Sequence, residues 1–446
     1  MPRFSYVRSL VSVHAIRVRT PRRRTLSPSV GDNAHMLSTR VFLAAAIALA
    51  CACSSIPPSP AASLAVTQRV DQIDVVGREP MLVEHPNGAL FVAGYGEPRP
   101  TLWKSGDGGA TWSRVDVGTE ADGAIGNSDV DLAVASDGTL YFASMLYDRT
   151  ANEGRQIAMG VSTDAGASWR WTTLSKTRFD DRPWVEVAPD GAVHAIWNDG
   201  SGVAYRASRD RGMSWTPMAR IHDRGGSSHL AVGPTGEVAV RITPLSASGN
   251  KYDAGVELIA VSTDGGASWQ KHPAPGERDW SPDFTTAATP RWVEPLAWDD
   301  AGRLYSLWTD KKGVRLARSD DRGANWKTWT VAESTIPPFF PYLAAHGGGE
   351  LAATWFTASD NDKRDLQWHV ARVDVAANDA QPRVLLSAPR SLESRRLRAE
   401  DNGALFNDTG GEYLATMFLR DGSIAVVSPI QNRPDARVGF TWWKFH

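Results

Sequence analysis

GVELIAVSTDGGASWQKHP, residues 255–273, sets a polar Ser-Thr-Asp-Gly-Gly run between two alternating stretches and closes it with a tryptophan. Alternation on both flanks reads as two strands joined by a tight turn. The pattern Ser-x-Asp-x-Gly-x-x-Trp occurs five times: SGDGGATW (105–112), STDAGASW (162–169), SRDRGMSW (208–215), STDGGASW (262–269) and SDDRGANW (319–326). Successive tryptophans lie 57, 46, 54 and 57 residues apart, the spacing of a repeated supersecondary unit.

Between boxes an apolar stretch meets a Gly-containing turn, and two further strands lead into the next box. The turns are HPNG (85–88), ASDG (135–138), APDG (188–191), GPTG (233–236), DDAG (299–302), HGGG (346–349) and NDTG (407–410). Each precedes a strand-like run, from ALFVAGY after the first to EYLATMF after the last. Four short strands per unit make a propeller blade, and a ring of blades leaves only short edges. The expected fold is an all-β propeller of four-stranded blades. The turns give seven blades; six is the alternative, because the last two units lack a box. VTQRVDQIDVV (66–76) is expected to add an outer strand beside the C-terminal GFTWWKF and close the ring.

The box itself has an architectural reading. Its Ser and Asp side chains can bond backbone amides inside the turn, its Gly takes positive φ, and its Trp can cover the seam between blades. Five copies on an outer rim do not make one catalytic centre.

Composition agrees with many short strands: 39 Gly, 27 Pro and 18 Trp in 446 residues. The net charge of −2 argues against a nucleic-acid partner held by a basic face. The ten histidines show no His-x-x-x-His spacing, so no metal is expected, and no phosphate-cradling glycine motif precedes a helix, so no cofactor is expected. A closed ring needs no partner to hide its edges, and a monomer is expected.

The first 65 residues read as export. From Met36, MLSTRVFLAAAIALACACSS carries one arginine, an apolar run and small residues, the layout of a signal peptide. Cys51 and Cys53, the two cysteines of the chain, end that run, and SSIPPSPAAS follows as a tether. The expected organisation is an upstream stretch 1–35 (a start set too early, or a transit peptide), a lipoprotein signal at 36–53 lipidated at Cys51 or Cys53, a tether at 54–65 and one propeller domain at 66–446. Ala48-Leu49-Ala50-Cys51 resembles a bacterial lipoprotein cleavage site, which implies a lipid-anchored protein of the bacterial cell envelope, touching the membrane through that anchor alone. An ordinary signal ending near cysteines is the alternative.

Propeller ligands sit where the innermost strands begin. Those segments are GREP (77–80), NSDVD (127–131), DDRPW (180–184), GSSH (226–229), TPRWVEP (289–295), PFFPY (338–342) and the region of Asn407 and Asp408. They offer Arg78, Arg182 and Arg291, the acids Asp129, Asp131, Asp181 and Glu294, and the rings of Trp184, His229, Trp292 and Tyr342. Guanidinium forks suit a carboxylate and aromatic faces suit a sugar. The bland alternatives are an arginine strapped to a neighbouring aspartate and tryptophans that plug the channel wall.

The boxes resemble the Asp boxes, or bacterial neuraminidase repeats, of the sialidase superfamily of propellers. The resemblance covers residues 75–331 well and the last hundred more weakly. It implies an exo-glycosidase acting on acidic or terminal sugars, although non-enzymatic members, including a photosystem assembly factor, carry the same box. Within that family three arginines hold a carboxylate. Arg78-Glu79-Pro80 looks like the family's Arg-Ile-Pro motif, Arg241 in GEVAVRITP resembles the second arginine, and Arg291 fits the third by position. Asp122, Asp129 and Asp131 are candidates for the acid/base. The family nucleophile is a tyrosine activated by a glutamate. Tyr342 lies two positions from its expected place, which Phe340 occupies, and no glutamate stands near Ser227-Ser228-His229, leaving Glu294 as the substitute. Arg182, Trp184, His229 and Trp292 are then ligand-binding candidates. The alternative function is a non-enzymatic glycan- or protein-binding propeller of the cell envelope.

Overall fold

A computed structural model describes residues 66–76, 78–96, 98–243, 257–276, 294–310, 312–358, 365–375, 378, 380–396, 415–429 and 437–445. The described chain forms seven antiparallel sheets, each with four strands in a row, and is a seven-bladed β-propeller. Its helical content among the described residues is one 3-10 turn, Glu120–Asp122.

The innermost strands, one per blade, are Arg78–Glu84, Ser128–Val134, Asp180–Val187, Gly226–Val232, Leu296–Trp298, Phe339–His346 and Thr416–Phe418. Blade six carries an extra strand, Arg390–Arg396, paired with Asp365–Asp374. Val66–Val76 pairs antiparallel with Arg437–Phe445, Val66 opposite Phe445 and Val76 opposite Arg437. It is the outer strand of blade seven, as the sequence suggested, and it covers an edge that would otherwise be open.

One unit is phased differently from the sequence reading. Thr416–Phe418, within the run taken for a second strand, is the innermost strand of blade seven. The turn that follows it is Leu419-Arg420-Asp421-Gly422, where the Gly422 amide donates to the Leu419 carbonyl at 2.8 Å. The turn counted at 407–410 lies outside the described residues.

The boxes fold as their chemistry dictates. In the box at 262–269 the Gly266 amide donates to Ser262 Oγ at 2.8 Å, and Ser262 Oγ donates to Asp264 Oδ1 at 2.8 Å. The other end of the turn, the Ser268 amide, reaches the same Oδ1 at 2.9 Å. Gly266 has φ +90°, and a side chain there would run into the Tyr205 hydroxyl of the preceding blade. Trp269 meets Tyr205 edge-on at 5.4 Å and Trp112 meets Phe440 at 5.4 Å, so these two tryptophans cover seams between blades. Large side chains such as Phe91, Trp103, Phe142, Trp197, Tyr305 and Trp368 fill the spaces between sheets with 2 % exposure or less. Each such burial contributes about 1.5–3 kcal/mol.

Candidate functional site

The site is built by a defect repeated at the start of the innermost strands. Pairing with the second strand slips between Arg78 and Met81, Ser128 and Val130, Asp181 and Trp184, Ser227 and His229, and Phe339 and Tyr342. In three blades the slipped residue precedes a proline and has positive φ: Glu79 (45°), Arg182 (50°) and Phe340 (47°). A proline disfavours the right-handed helical region for the residue before it, and a non-glycine residue at positive φ is strained by about 1–2 kcal/mol. Bulges of this kind re-aim side chains and cluster at functional sites. Proline also donates nothing to the ladder, which ends regular pairing there.

On the strand-start side of the channel stand Arg78, Asp129, Asp181 and Arg182. Asp181 Oδ2 lies 3.8 Å from Arg182 Nε, and its side chain keeps 40 % of its surface. Recessed among protein atoms, with Asp129 adding repulsion, the Asp181 carboxyl is pushed up to about 6; Arg182 offsets part of this. Ser128 Oγ donates to Asp129 Oδ1 at 3.2 Å. Arg78 stacks its guanidinium over Tyr95 at 5.7 Å, while its Nε and Nη2 are buried with no hydrogen-bond partner among the described residues.

One level deeper, Asp131, Trp184, His229 and Tyr342 converge from four blades. His229 packs on Trp184 at 5.1 Å and on Tyr342 at 5.5 Å. Its Nδ1 accepts the Leu296 amide at 3.3 Å, which leaves the proton of a neutral ring on Nε2. Burial pushes the imidazole down to about 3, so the ring is neutral in ordinary buffers. Asp131 is 7 % exposed and accepts the Val185 amide at 2.8 Å and the Leu132 amide at 2.9 Å, strapping blade two to blade three. Burial first, and Glu186 second, hold its pKa well above the usual carboxylate range. Tyr342 is likewise raised well above the ordinary phenol value, by burial and then by Asp131 and Glu186.

These four side chains help line a cavity of about 310 Å³ that runs between the innermost strands of all seven blades. Among the described residues Glu84, Asp131 and Glu186 are its acids, and no described lysine or arginine lines it. Burial accordingly pushes Glu186 up to about 7. Glu186 went unnoticed in the sequence. It lies two residues past Trp184 on the same strand, so period-two alternation could have flagged it as a polar residue on a channel-facing register.

Other candidates are placed elsewhere. Arg241 is fully buried, and it donates to Glu257 Oε2 at 2.9 Å, to Ser306 Oγ at 3.1 Å and to Glu294. Arg241 and Glu294 therefore form a strut between blades four and five and do not join the cavity lining. Asp122 caps the 3-10 turn, accepting the Thr119 amide at 2.8 Å. Arg291, Trp292, Asn407, Asp408, Cys51 and Cys53 lie outside the described residues. Among the described residues no group of three or more His, Cys, Asp or Glu could hold a metal ion, and no helix is long and apolar enough to cross a membrane.

Fold and site together define a seven-bladed propeller with an acid-lined channel and a mixed-charge mouth. No family model matches the chain. It is 26 % identical over 225 residues to a xyloglucanase of Hypocrea jecorina (strain QM6a), a match spanning 50 % of this chain and 22 % of that protein. The chain thus covers about a fifth of the curated relative it matches, at 22 %. Among solved structures it is similar to the GH74 xyloglucanase from Xanthomonas campestris, with a TM-score of 0.46, 15 % identity and coverage of 83 % of this chain and 55 % of that one. It is similar also to the intramolecular trans-sialidase from Ruminococcus gnavus, with a TM-score of 0.41, 12 % identity and coverage of 82 % and 94 %. A protein of unknown function from Dyadobacter fermentans gives 0.44, 12 %, 84 % and 99 % for the same quantities. At such identities the likeness is one of fold.

Proposed function

We propose that this propeller cleaves terminal sugars from a glycan at the strand-start mouth of its channel, with Asp181 as the proton donor. The observation that carries the reading is the Asp129–Asp181 pair beside Arg182, with the Asp181 carboxyl pushed up to about 6. A carboxyl that holds its proton up to about pH 6 can protonate a glycosidic oxygen in mildly acidic conditions, and a second carboxyl close by can act on water or on the anomeric carbon. Asp129 is that second group. Arg78 and Arg182 favour a sugar bearing an anionic substituent.

Tyr342 fits a nucleophile less well. Burial, with Asp131 and Glu186 beside it, raises its phenol well above the ordinary value, and among the described residues no cation lines the cavity to offset this. The structural strut formed by Arg241 and Glu294 supports a second reading, a glycan-binding propeller without turnover, because it withdraws two residues from the catalytic set that the sialidase resemblance implied. Export with a lipid at Cys51 or Cys53 is part of the same proposal; labelled palmitate that still enters a Cys51→Ala, Cys53→Ala double variant would refute it.

The domain from Ser63 onward, freed of its anchor, is incubated with a fluorogenic α-sialoside, a panel of other fluorogenic glycosides and xyloglucan oligosaccharides. Release that drops at least ~100-fold in Asp181→Asn, and also falls in Arg78→Ala, supports the enzyme. Silence across the panel in a folded protein moves the function to binding, read by calorimetry with the same glycans.

A further inference from the structure

Asp181 is delivered to the mouth by a short segment that is held at every residue. Asp180 is fully buried and accepts the Ser175 hydroxyl at 2.9 Å, the Thr177 amide at 2.9 Å and the Thr177 hydroxyl at 2.6 Å. Phe179, at φ 67°, donates its amide to the Gly154 carbonyl at 2.9 Å. A Cβ on Gly154 would stand 1.5 Å from the Asp180 carbonyl oxygen, so this backbone approach requires glycine. Arg178 lies over the Phe179 ring at 5.1 Å and forks onto Glu153, with Nε 3.1 Å from each carboxylate oxygen and Nη2 2.7 Å from Oε2.

Glu153 is the centre of this brace. It is 4 % exposed and takes a second guanidinium, Arg155 Nη1, at 2.7 Å, while Arg155 reaches Asp148 at 3.3 Å. The Arg178 side chain itself is 69 % exposed. Ion pairs with so exposed a partner contribute little to stability. What the fork does is fix direction: it clamps the segment leading into Asp181 to the third strand of blade two. Neither Glu153 nor Arg178 lines the channel cavity.

We infer that Glu153 and Arg178 are positioning residues for Asp181, holding its half-exposed carboxyl in the mouth on the side of Asp129. This role rests on the reading of Asp181 as the proton donor, but its consequence can be measured without turnover. The charged and titratable groups around Asp181 are Asp129 from blade two's innermost strand, Tyr147 from its second strand, and Asp180 and Arg182 on either side. Release of the segment lets Asp181 swing toward water and away from Asp129, and its pKa falls.

In the Arg178 variant the sign of that change separates positioning from a through-space effect. Removing the Arg178 charge without moving anything would raise the Asp181 pKa, whereas removing the Glu153 charge would lower it. Loss of position lowers it in both. The test is a carbon-detected NMR titration of 13C-labelled aspartate in the folded domain, with the Asp181 signal assigned by its absence in Asp181→Asn. Arg178→Gln, at an exposed site, and Glu153→Gln are each expected to lower the Asp181 pKa by ~1 unit or more toward the ordinary carboxyl range. Arg178→Lys, which keeps one charged contact, restores part of the shift. Asp148→Asn, at the far end of the network, leaves it unchanged. A rise or no change in Arg178→Gln overturns the proposal. Absence of glycosidase activity in the parent protein overturns the enzymatic reading alone, because the titration still decides the positioning role.

Discussion

His229 and Tyr342 meet edge to face across the channel with ring centroids 5.5 Å apart, although blade five separates the strands that carry them. With Trp184 packed on the other side of His229 at 5.1 Å, three rings from blades three, four and six span the passage. All three line the acid-containing cavity. Trp184 is 3 % exposed and borders the channel cavity, so truncation removes a buried ring and enlarges that cavity. Trp184→Ala is expected to cost about 3–5 kcal/mol in urea unfolding. A loss under about 1 kcal/mol would mean that the ring packs loosely.

The buried channel groups give stability two opposing pH dependences. Glu186 rises from 4.5 to about 7 on folding, so the folded chain holds a proton that the unfolded chain has lost between those values. Stability from this group is present in acid and is lost as pH climbs from 4.5 to about 7. His229 falls from 6.5 to about 3, so its contribution is present above 6.5 and is lost as pH drops toward 3. Glu186→Gln should remove the alkaline-side loss, gaining up to about 3 kcal/mol at pH 8 relative to pH 4.5, an upper limit for a half-buried carboxyl. His229→Phe should flatten the acid side instead. Thermal melts of both variants from pH 4 to 8 check the signs, and parallel curves for parent and Glu186→Gln would show that this carboxyl titrates normally.

Arg241 invites a discriminating substitution. Its guanidinium sits between two carboxylates that are almost wholly inaccessible, Glu257 at 0 % and Glu294 at 1 %. Removing one partner of a buried ion pair costs about 3–5 kcal/mol, because charge is left in a poorly solvating place. Arg241→Ala should therefore lower stability on that scale, with any loss of activity tracking the unfolded fraction. A normally stable Arg241→Ala domain with a raised KM would return this residue to the substrate.

Much of this architecture was legible in the sequence because it repeats. Box and turn spacing fixed the blades, and the alternation of Val66–Val76 marked it as the partner of Arg437–Phe445. Blade seven was misphased because its innermost strand is three residues long, Thr416–Phe418, and a Gly turn stands on each side of it in the sequence. The site was legible only in part. Trp184, His229, Asp131 and Tyr342 stand just past the strand starts, where the repeat predicts channel residues. Arg241 misled because GEVAVRITP resembles the segment of the family's second arginine, and nothing in the local sequence signals that its partners Glu294 and Ser306 arrive from the next blade. Glu186 was missed for the opposite reason: one acid in an alternating strand looks like a solvent-facing residue.

The boxes supply the sharpest separation of architecture from chemistry. In Asp107, Asp164, Asp210 and Asp264 the carboxyl is held down to about 2, chiefly by the side-chain donor four residues on. A depressed carboxyl stabilises the fold above its unfolded value of 3.8, and that contribution is lost as pH falls from 3.8 to about 2. Asp164 accepts the Ser168 amide at 2.9 Å and the Ser168 hydroxyl at 2.5 Å, bonds that alanine cannot make. Asp164→Ala should cost on the order of 1 kcal/mol in urea unfolding at pH 7. It should also leave glycan binding and turnover at the mouth unchanged, because the box closes the outer strand pair at the opposite end of the blade. The same substitution at Asp210 should behave alike. If either variant loses turnover while its unfolding midpoint stays where it was, the boxes are sites after all, and the five-fold repetition has a chemical meaning as well as a structural one.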